Sequence, residues 1–171
     1  MKTNKMITLL LTGILLISGF SACNSDNDDD TTLSPSNGTK TQLVGKKWKI
    51  TAMAIAPGFD LDGDGDLETD LYNYTPTCTK DDYVIFKDNG KSEAYSGPNL
   101  CIGEDGAVEN GTWALESNNT KMKVVDSEGE TFIWNIVSLN NNTFKVSYTE
   151  TFEDEEGQQH TQTVSATLQT F

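Results

Sequence analysis

Beyond residue 42 the chain is written in short apolar runs, alternating or β-branched, separated at steady intervals by Asn, Asp and Gly. No stretch of ten or more residues there places its apolar positions at helical spacing, so the pattern predicts an all-β domain. Eight strands are expected, at 46–54, 82–87, 91–95, 111–116, 121–126, 131–139, 143–151 and 160–169. They follow one another through tight turns at Asn89-Gly90, Asn118-Asn119 and Asn140 to Asn142, the signature of an up-and-down meander. An open meander leaves two sheet edges to aggregate and closure removes both. The expected architecture is therefore an eight-stranded antiparallel up-and-down barrel over 43–171.

Two hairpins carry a test of register. A two-residue turn at Asn118-Asn119 pairs Glu116 with Lys121, Leu115 with Met122 and Trp113 with Val124, making one face apolar and setting opposite charges on the other. An odd-length loop around Glu155-Glu156-Gly157 puts Phe144, Val146 and Tyr148 on the face of Val164, Ala166 and Leu168. The sixth strand, Phe132-Ile133-Trp134-Asn135-Ile136-Val137, is apolar on both sides, and its pattern does not choose an inward face.

The segment before these strands reads as an address. Lys2 and Lys5 precede an apolar run from Met6 to Phe20, shorter than the roughly 20 residues a membrane-spanning helix needs and followed by small residues, which predicts a signal peptide over 1–22. Phe20-Ser21-Ala22-Cys23 resembles a bacterial lipobox, which implies that Cys23 receives a diacylglycerol thioether and becomes the mature N-terminus. The alternative is a secreted protein cleaved near Ala22 with an unmodified Cys. The run from Asn24 to Asp30 holds four Asp and resembles the acidic export signal of Bacteroidota lipoproteins, which implies an outer-membrane lipoprotein exposed at the cell surface. A plain solvated spacer, or a periplasm-facing protein, is the alternative. Residues 23–42 are rich in Ser, Thr, Asn, Asp and Gly, so they are expected to form a disordered acidic tether reaching roughly 25 Å from the lipid.

Charge narrows the function classes. With 12 Lys, no Arg and 26 Asp plus Glu the formal net charge is -14, and loss of the two signal-peptide Lys takes it to -16. Such a surface repels nucleic acid and anionic lipid headgroups alike. One His and three Cys leave little for a zinc cage or a nucleophile-and-base relay, and no Ser-centred elbow, phosphate-cradling Gly loop or metal-spaced His motif occurs. His160 and Glu150 share the parity of the last hairpin's apolar face and are candidates for a proton-transfer pair at the barrel mouth. Beside the acidic run 153–156 a solvated His is the plainer reading, and no enzyme is expected.

With Cys23 committed to lipid, Cys78 and Cys101 remain. Outside the cytoplasm two thiols in a small domain pair, and the loop they close is worth roughly 3.5 kcal/mol by chain entropy. A redox pair would lack the Cys-X-X-Cys spacing that tunes such sites.

The opening Leu43-Val44-Gly45-Lys46-Lys47-Trp48 resembles the first strand of lipocalin-like barrels, where a Gly followed closely by Trp plugs the closed end. Residues 78–90 and Gly111-Thr112-Trp113-Ala114-Leu115 resemble the lipocalin-like domain of Bacteroidota lipoproteins. The likeness covers 43–171 and implies a calycin-like barrel. Two residues rather than one separate Gly45 from Trp48, and no Arg is present to stack on that Trp. The aromatics Trp48, Phe86, Trp113, Trp134, Phe144 and Tyr148 are candidates to line a ligand pocket, or else they fill the barrel as core, and eight strands suit either.

The loop from Asp60 to Asp70 holds six acids within 11 residues. Asp60, Asp62 and Asp64 fall at positions 1, 3 and 5 of a calcium loop, Gly65 at the sharp turn of position 6 and Leu67 at the apolar position 8. Asp66 would offer its backbone carbonyl. Leu71 stands where the bidentate Glu of position 12 belongs, and Asp70 is the candidate to replace it. The expected ligand set for a weak structural Ca2+ is therefore Asp60, Asp62, Asp64, Asp66 and Asp70, with a solvated acidic turn as the alternative.

Two functions stay open at this point. One is a lipid-anchored barrel that binds a small apolar or amphipathic molecule without catalysis. The other is a structural or accessory surface lipoprotein whose barrel is filled and whose loops contact a protein or glycan. A dry cavity of roughly 300 Å³ or more would favour the first.

Overall fold

The computed structural model describes residues 37–153 and 159–171. The signal peptide, Cys23 and the tether as far as Ser36 lie outside the described residues, as does the tip of the last hairpin at 154–158.

In chain order the elements are α1 (Asn37–Leu43), β1 (Lys47–Phe59), β2 (Glu68–Asp70), α2 (Leu71–Tyr74), a 3-10 turn at Thr77–Thr79, β3 (Tyr83–Phe86), β4 (Lys91–Tyr95), β5 (Glu109–Glu116), β6 (Lys121–Val125), β7 (Thr131–Leu139), β8 (Thr143–Glu153) and β9 (Gln159–Thr170). The eight expected strands are β1 and β3 to β9. Each pairs with the next in antiparallel fashion, and β9 returns to pair with β1 from Trp48–Thr170 to Ala56–Thr163. This closes an eight-stranded barrel. β2 is an additional three-residue strand laid on the far part of β1 through Ala54–Asp70 and Phe59–Glu68.

Both expected registers occur. Glu116 pairs with Lys121, Leu115 with Met122 and Trp113 with Val124. Asn118 and Asn119 both have positive φ, 55° and 67°, which a two-residue turn between twisted strands requires and Asn tolerates. Across the last hairpin Phe144 pairs with Leu168, Val146 with Ala166 and Tyr148 with Val164. Burial settles β7: Phe132, Trp134 and Ile136 turn inward, while Ile133 and Val137 are exposed. A bulge between Ile136 and Ser138 then slips the pairing by one residue, which returns Leu139 to the core side.

The core sits at the end where β1 begins and β9 finishes. Leu43, Trp48, Phe86, Trp113, Met122 and Phe144 are buried together there. A buried indole N–H left unpaired costs about 1–3 kcal/mol. Both tryptophans avoid it: Trp48 Nε1 donates to the Leu43 carbonyl and Trp113 Nε1 to the Lys87 carbonyl, each at 2.9 Å. Lys46 Nζ lies 5.8 Å from the Trp48 ring centre while donating to the Asn141 carbonyl at 2.8 Å, so a Lys stands over the ring that has no Arg.

Two expectations need correction. The tether does not run unstructured to residue 42, because 37–42 belong to α1. Those residues carry no apolar periodicity of their own. The helix is held by its last residue, the fully buried Leu43, by the Val44 N–H on the Lys40 carbonyl at 3.0 Å, and by the Gly45 N–H on the Phe86 carbonyl at 2.9 Å. The long β1–β3 connection also contains structure that alternation does not reveal. Leu71 of α2 is buried with Ile55 and Val164 in a second, smaller cluster that partly covers the opposite end of the barrel.

Candidate functional site

The seam between β1 and β3 is short. The two strands pair only at Lys47–Ile85 and Trp48–Val84, whereas β1 and β9 stay paired as far as Ala56. Past Trp48 they part, and a cavity of about 240 Å³ lies beside the gap. Its apolar walls are Trp48, Ile50, Val84, Ala94, Trp134 and Leu168. Ile50 pairs with the inward Leu168 yet is 40% exposed, because it meets this space instead of side chains.

The cavity's polar side comes from three carboxylates, Asp82, Glu104 and Glu109, together with Ser96 and the stacked pair Tyr83 and Tyr95. Glu104 and its neighbour on the wall, Ala107, belong to the connection 96–108, which is tied down by a Cys78–Cys101 disulfide with the Cα atoms 5.2 Å apart. Hydrogen bonds add to the tie. The Gly97 N–H donates to Asp82 Oδ1 at 2.8 Å, Asn99 donates its N–H and Nδ2 to Asp81 Oδ2 at 3.2 and 2.8 Å, and the Cys101 N–H donates to Glu104 Oε2 at 2.9 Å. Gly97 lets the backbone pass against the Asp81 carboxylate, which a Cβ there would have to displace. Burial pushes the Asp82 carboxyl above its ordinary range; the Gly97 N–H opposes this, and the charges of Glu104 and Asp81 add to it.

Of the six aromatic candidates, Trp48 and Trp134 line the cavity. Phe86, Trp113 and Phe144 do not: they fill the closed end around Leu43. Tyr148 packs against the smaller cluster of Ile55, Leu71 and Val164, where burial, with Glu150 adding, pushes its hydroxyl up to about 12. Sequence reasoning misses Ile50, Tyr83, Val84, Ala94, Tyr95, Ser96, Ala107, Leu168 and the three acids. The available signal is Ala94, a small residue paired with the inward Val84, which leaves room rather than filling it.

In the acidic loop, Asp60, Asp62 and Glu68 each present a carboxylate oxygen, all within 4.8 Å of one another. Asp60 shapes the turn, accepting from the Gly63 and Gly65 N–H groups at 2.6 and 3.1 Å. Asp64 and Asp66 are not part of this group, although Asp64 accepts from the Asp66 N–H at 2.9 Å. Asp70 is turned away to cap α2, accepting from the N–H groups of Tyr72 and Asn73 and from Asn73 Nδ2. Glu68, at position 9 of the loop, stands in the group instead.

A lipocalin-like domain model matches residues 43–146, more than half of the chain. The chain belongs to the lipocalin-like domain family. Among solved structures it is similar to a lipocalin-like protein from Bacteroides uniformis ATCC 8492, at 14% identity over 76% of this chain and 99% of that one, with a TM-score of 0.43. No curated protein matches. The matched part of the lipocalin-like domain holds Trp48, Trp134, both disulfide cysteines and all three cavity acids, and leaves β9 outside. In the last hairpin of the lipocalin-like barrel, Glu150 pairs with the buried Gln162 and His160 with Phe152, which puts the candidates His160 and Glu150 at diagonal positions of one face, not opposite one another. Burial raises the Glu150 carboxyl.

Proposed function

We propose that this chain is a lipid-anchored outer-membrane protein whose lipocalin-like barrel binds one small apolar or amphipathic molecule without converting it. The cavity beside the β1–β3 seam carries this reading: about 240 Å³, walled by two tryptophans, two tyrosines and five aliphatic residues, and lying where the strands part. An apolar hole of roughly 150 Å³ accepts benzene, so this one takes one or two rings or a short alkyl chain. At about 240 Å³ it falls short of the roughly 300 Å³ that favours a ligand site, so its size alone does not decide for binding and any ligand it takes is compact. Native mass spectrometry of the protein from its own cell envelope should show one bound molecule, and Ala94→Leu, which fills the space, should remove it. Bare mass in repeated preparations would favour a filled scaffold whose acidic mouth contacts a protein or glycan.

Anchoring rests on the lipobox-like Phe20 to Cys23 and the acidic run after it. Among the described residues no helix is long and apolar enough to cross a membrane. Native protein should partition into detergent and Cys23→Ser should move it to the aqueous phase. Alanine at Asp28, Asp29 and Asp30 should hide the lipidated protein from external protease, and unchanged access would leave the run a spacer. For the acidic loop the proposal is a weak structural calcium, held through Asp60, Asp62 and Glu68.

A further inference from the structure

We infer that the cavity selects a positively charged ligand, a compact organic ammonium whose apolar body lies against Trp48 and Trp134 and whose cationic head meets Asp82, Glu104 and Glu109. This rests on the reading of the cavity as a binding site and names the class of molecule it takes.

The first observation is the charge of the lining. Three carboxylates border the cavity and no Lys or His does. None of the three has a cation within ion-pair distance: the single ion pair among the described residues joins Lys87 to Glu93 at 2.8 Å. One oxygen of Asp82 is taken by the Gly97 N–H and one of Glu104 by the Cys101 N–H, which fixes the direction of each carboxylate and leaves its second oxygen without a hydrogen bond among the described residues. Uncompensated carboxylates beside an apolar space raise each other's cost, and a monocation placed among them lowers it.

The second observation is the wall opposite. Trp48 and Trp134 both border the space; Lys46 already stands over the Trp48 ring, so the attraction of an indole for a cation that has shed water, roughly 0.5 to 2 kcal/mol, is asked of Trp134. An anionic or neutral amphiphile would gain the apolar contacts and none of these.

The third is the field around the entrance. The connections at this end of the barrel, 60–82, 96–108 and 126–130, carry eight, two and three acids against one Lys, Lys80. At the other end the connections 37–46, 87–90, 117–120 and 140–142 carry three Lys and one Asp. A one-signed rim concentrates counter-ions at the entrance and raises their rate of arrival. The disulfide fits the same picture, because it tethers the connection that carries Glu104.

The test uses the full mature chain with Cys23→Ser and three probes of one shape: 2-phenylethylamine, 2-phenylethanol and phenylacetate, titrated against tryptophan fluorescence. The amine should bind at least about tenfold more tightly than the alcohol, about 1.4 kcal/mol, with the anion weakest. The margin should shrink as salt rises. Glu104→Gln with Glu109→Gln, in protein shown to melt cooperatively, should bring the amine-to-alcohol ratio toward one. Equal affinities for amine and alcohol in the wild-type protein would overturn cation selection while leaving the cavity a binding site. If none of the three binds, the cavity reading itself fails and this inference with it.

Discussion

Trp48 donates its indole N–H to the carbonyl of Leu43 at 2.9 Å, fastening the last residue of α1 to the first core aromatic of β1. Both side chains are essentially unexposed, so neither group has water to fall back on. Trp48→Phe keeps an aromatic ring and removes the donor, leaving a buried carbonyl unpaired. It should cost about 1–3 kcal/mol in urea unfolding, and Trp48→Ala about 3–5 kcal/mol. A Trp48→Phe loss within error of zero would mean that the clasp adds nothing.

The disulfide tethers a wall of the cavity as well as closing a loop. Reduction, or Cys78→Ser with Cys101→Ser, should lower stability by about 2–4 kcal/mol and weaken ligand binding in the same preparation. Two thiols labelled stoichiometrically in the untreated native protein would refute the bond.

Gly111 has no room for a side chain. A Cβ there would overlap the Val125 carbonyl and stand 2.9 Å from Ser92 Oγ, where β4, β5 and β6 run side by side. Gly111→Ala should therefore cost about 1–3 kcal/mol, the range for overpacking a core. Wild-type stability in this variant would show that the strands can spread.

Asp82 and Glu150 both have carboxyls raised by burial. A raised folded pKa means the fold holds the proton more tightly than the unfolded chain does. Its contribution is full below the unfolded value near about 4 and fades as pH rises through the folded value. Glu93, lowered chiefly by its hydrogen bond from Lys87, acts in the opposite sense but lies at the surface. The melting temperature should accordingly decline from mildly acidic to neutral pH. Glu150→Gln should raise it at neutral pH and flatten the profile, and a profile superimposing on the wild type would show that Glu150 is solvated.

Calcium at about 5 mM, several times the roughly 0.1–1 mM dissociation constants of extracellular sites, should raise the melting temperature by a few degrees, and equal magnesium should do less. Asp62→Ala with Glu68→Ala should abolish the shift, whereas Asp70→Asn should retain most of it. No shift in the wild type would leave the loop a plain acidic turn.

The hairpin at Asn118-Asn119 is legible in sequence because the dipeptide marks the turn and the flanking charges agree with its register, although Ser117, which the sequence does not single out, also takes a positive φ of 50°. β7 is not, since both of its faces are apolar and the bulge at Val137 switches which parity points inward before Leu139. Asp70 sits close to a calcium position by count, but it lies just before α2, where free N–H groups claim its carboxylate. The cavity is the least legible feature. It is made by what Ala94 and Ala107 lack and by a seam that ends after two residue pairs, and neither follows from local periodicity.

The β1–β9 pairing that closes the ring also sets the order in which the molecule can assemble. Trp48 meets Thr170, so the first and last strands of the domain must find each other across nearly its entire length. Every other pairing in the ring joins strands adjacent in sequence, apart from β1 with β3 across the connection that holds β2 and α2, and can form as the chain is made. Until β9 is available, β1 and β8 each present a bare edge, and Val164, Ala166 and Leu168 are missing from the interior. The last dozen residues therefore act as a latch. Such distant pairing belongs to slow-folding topologies, in the range of about milliseconds to seconds, and the chain stays open to association with its own kind until the latch shuts.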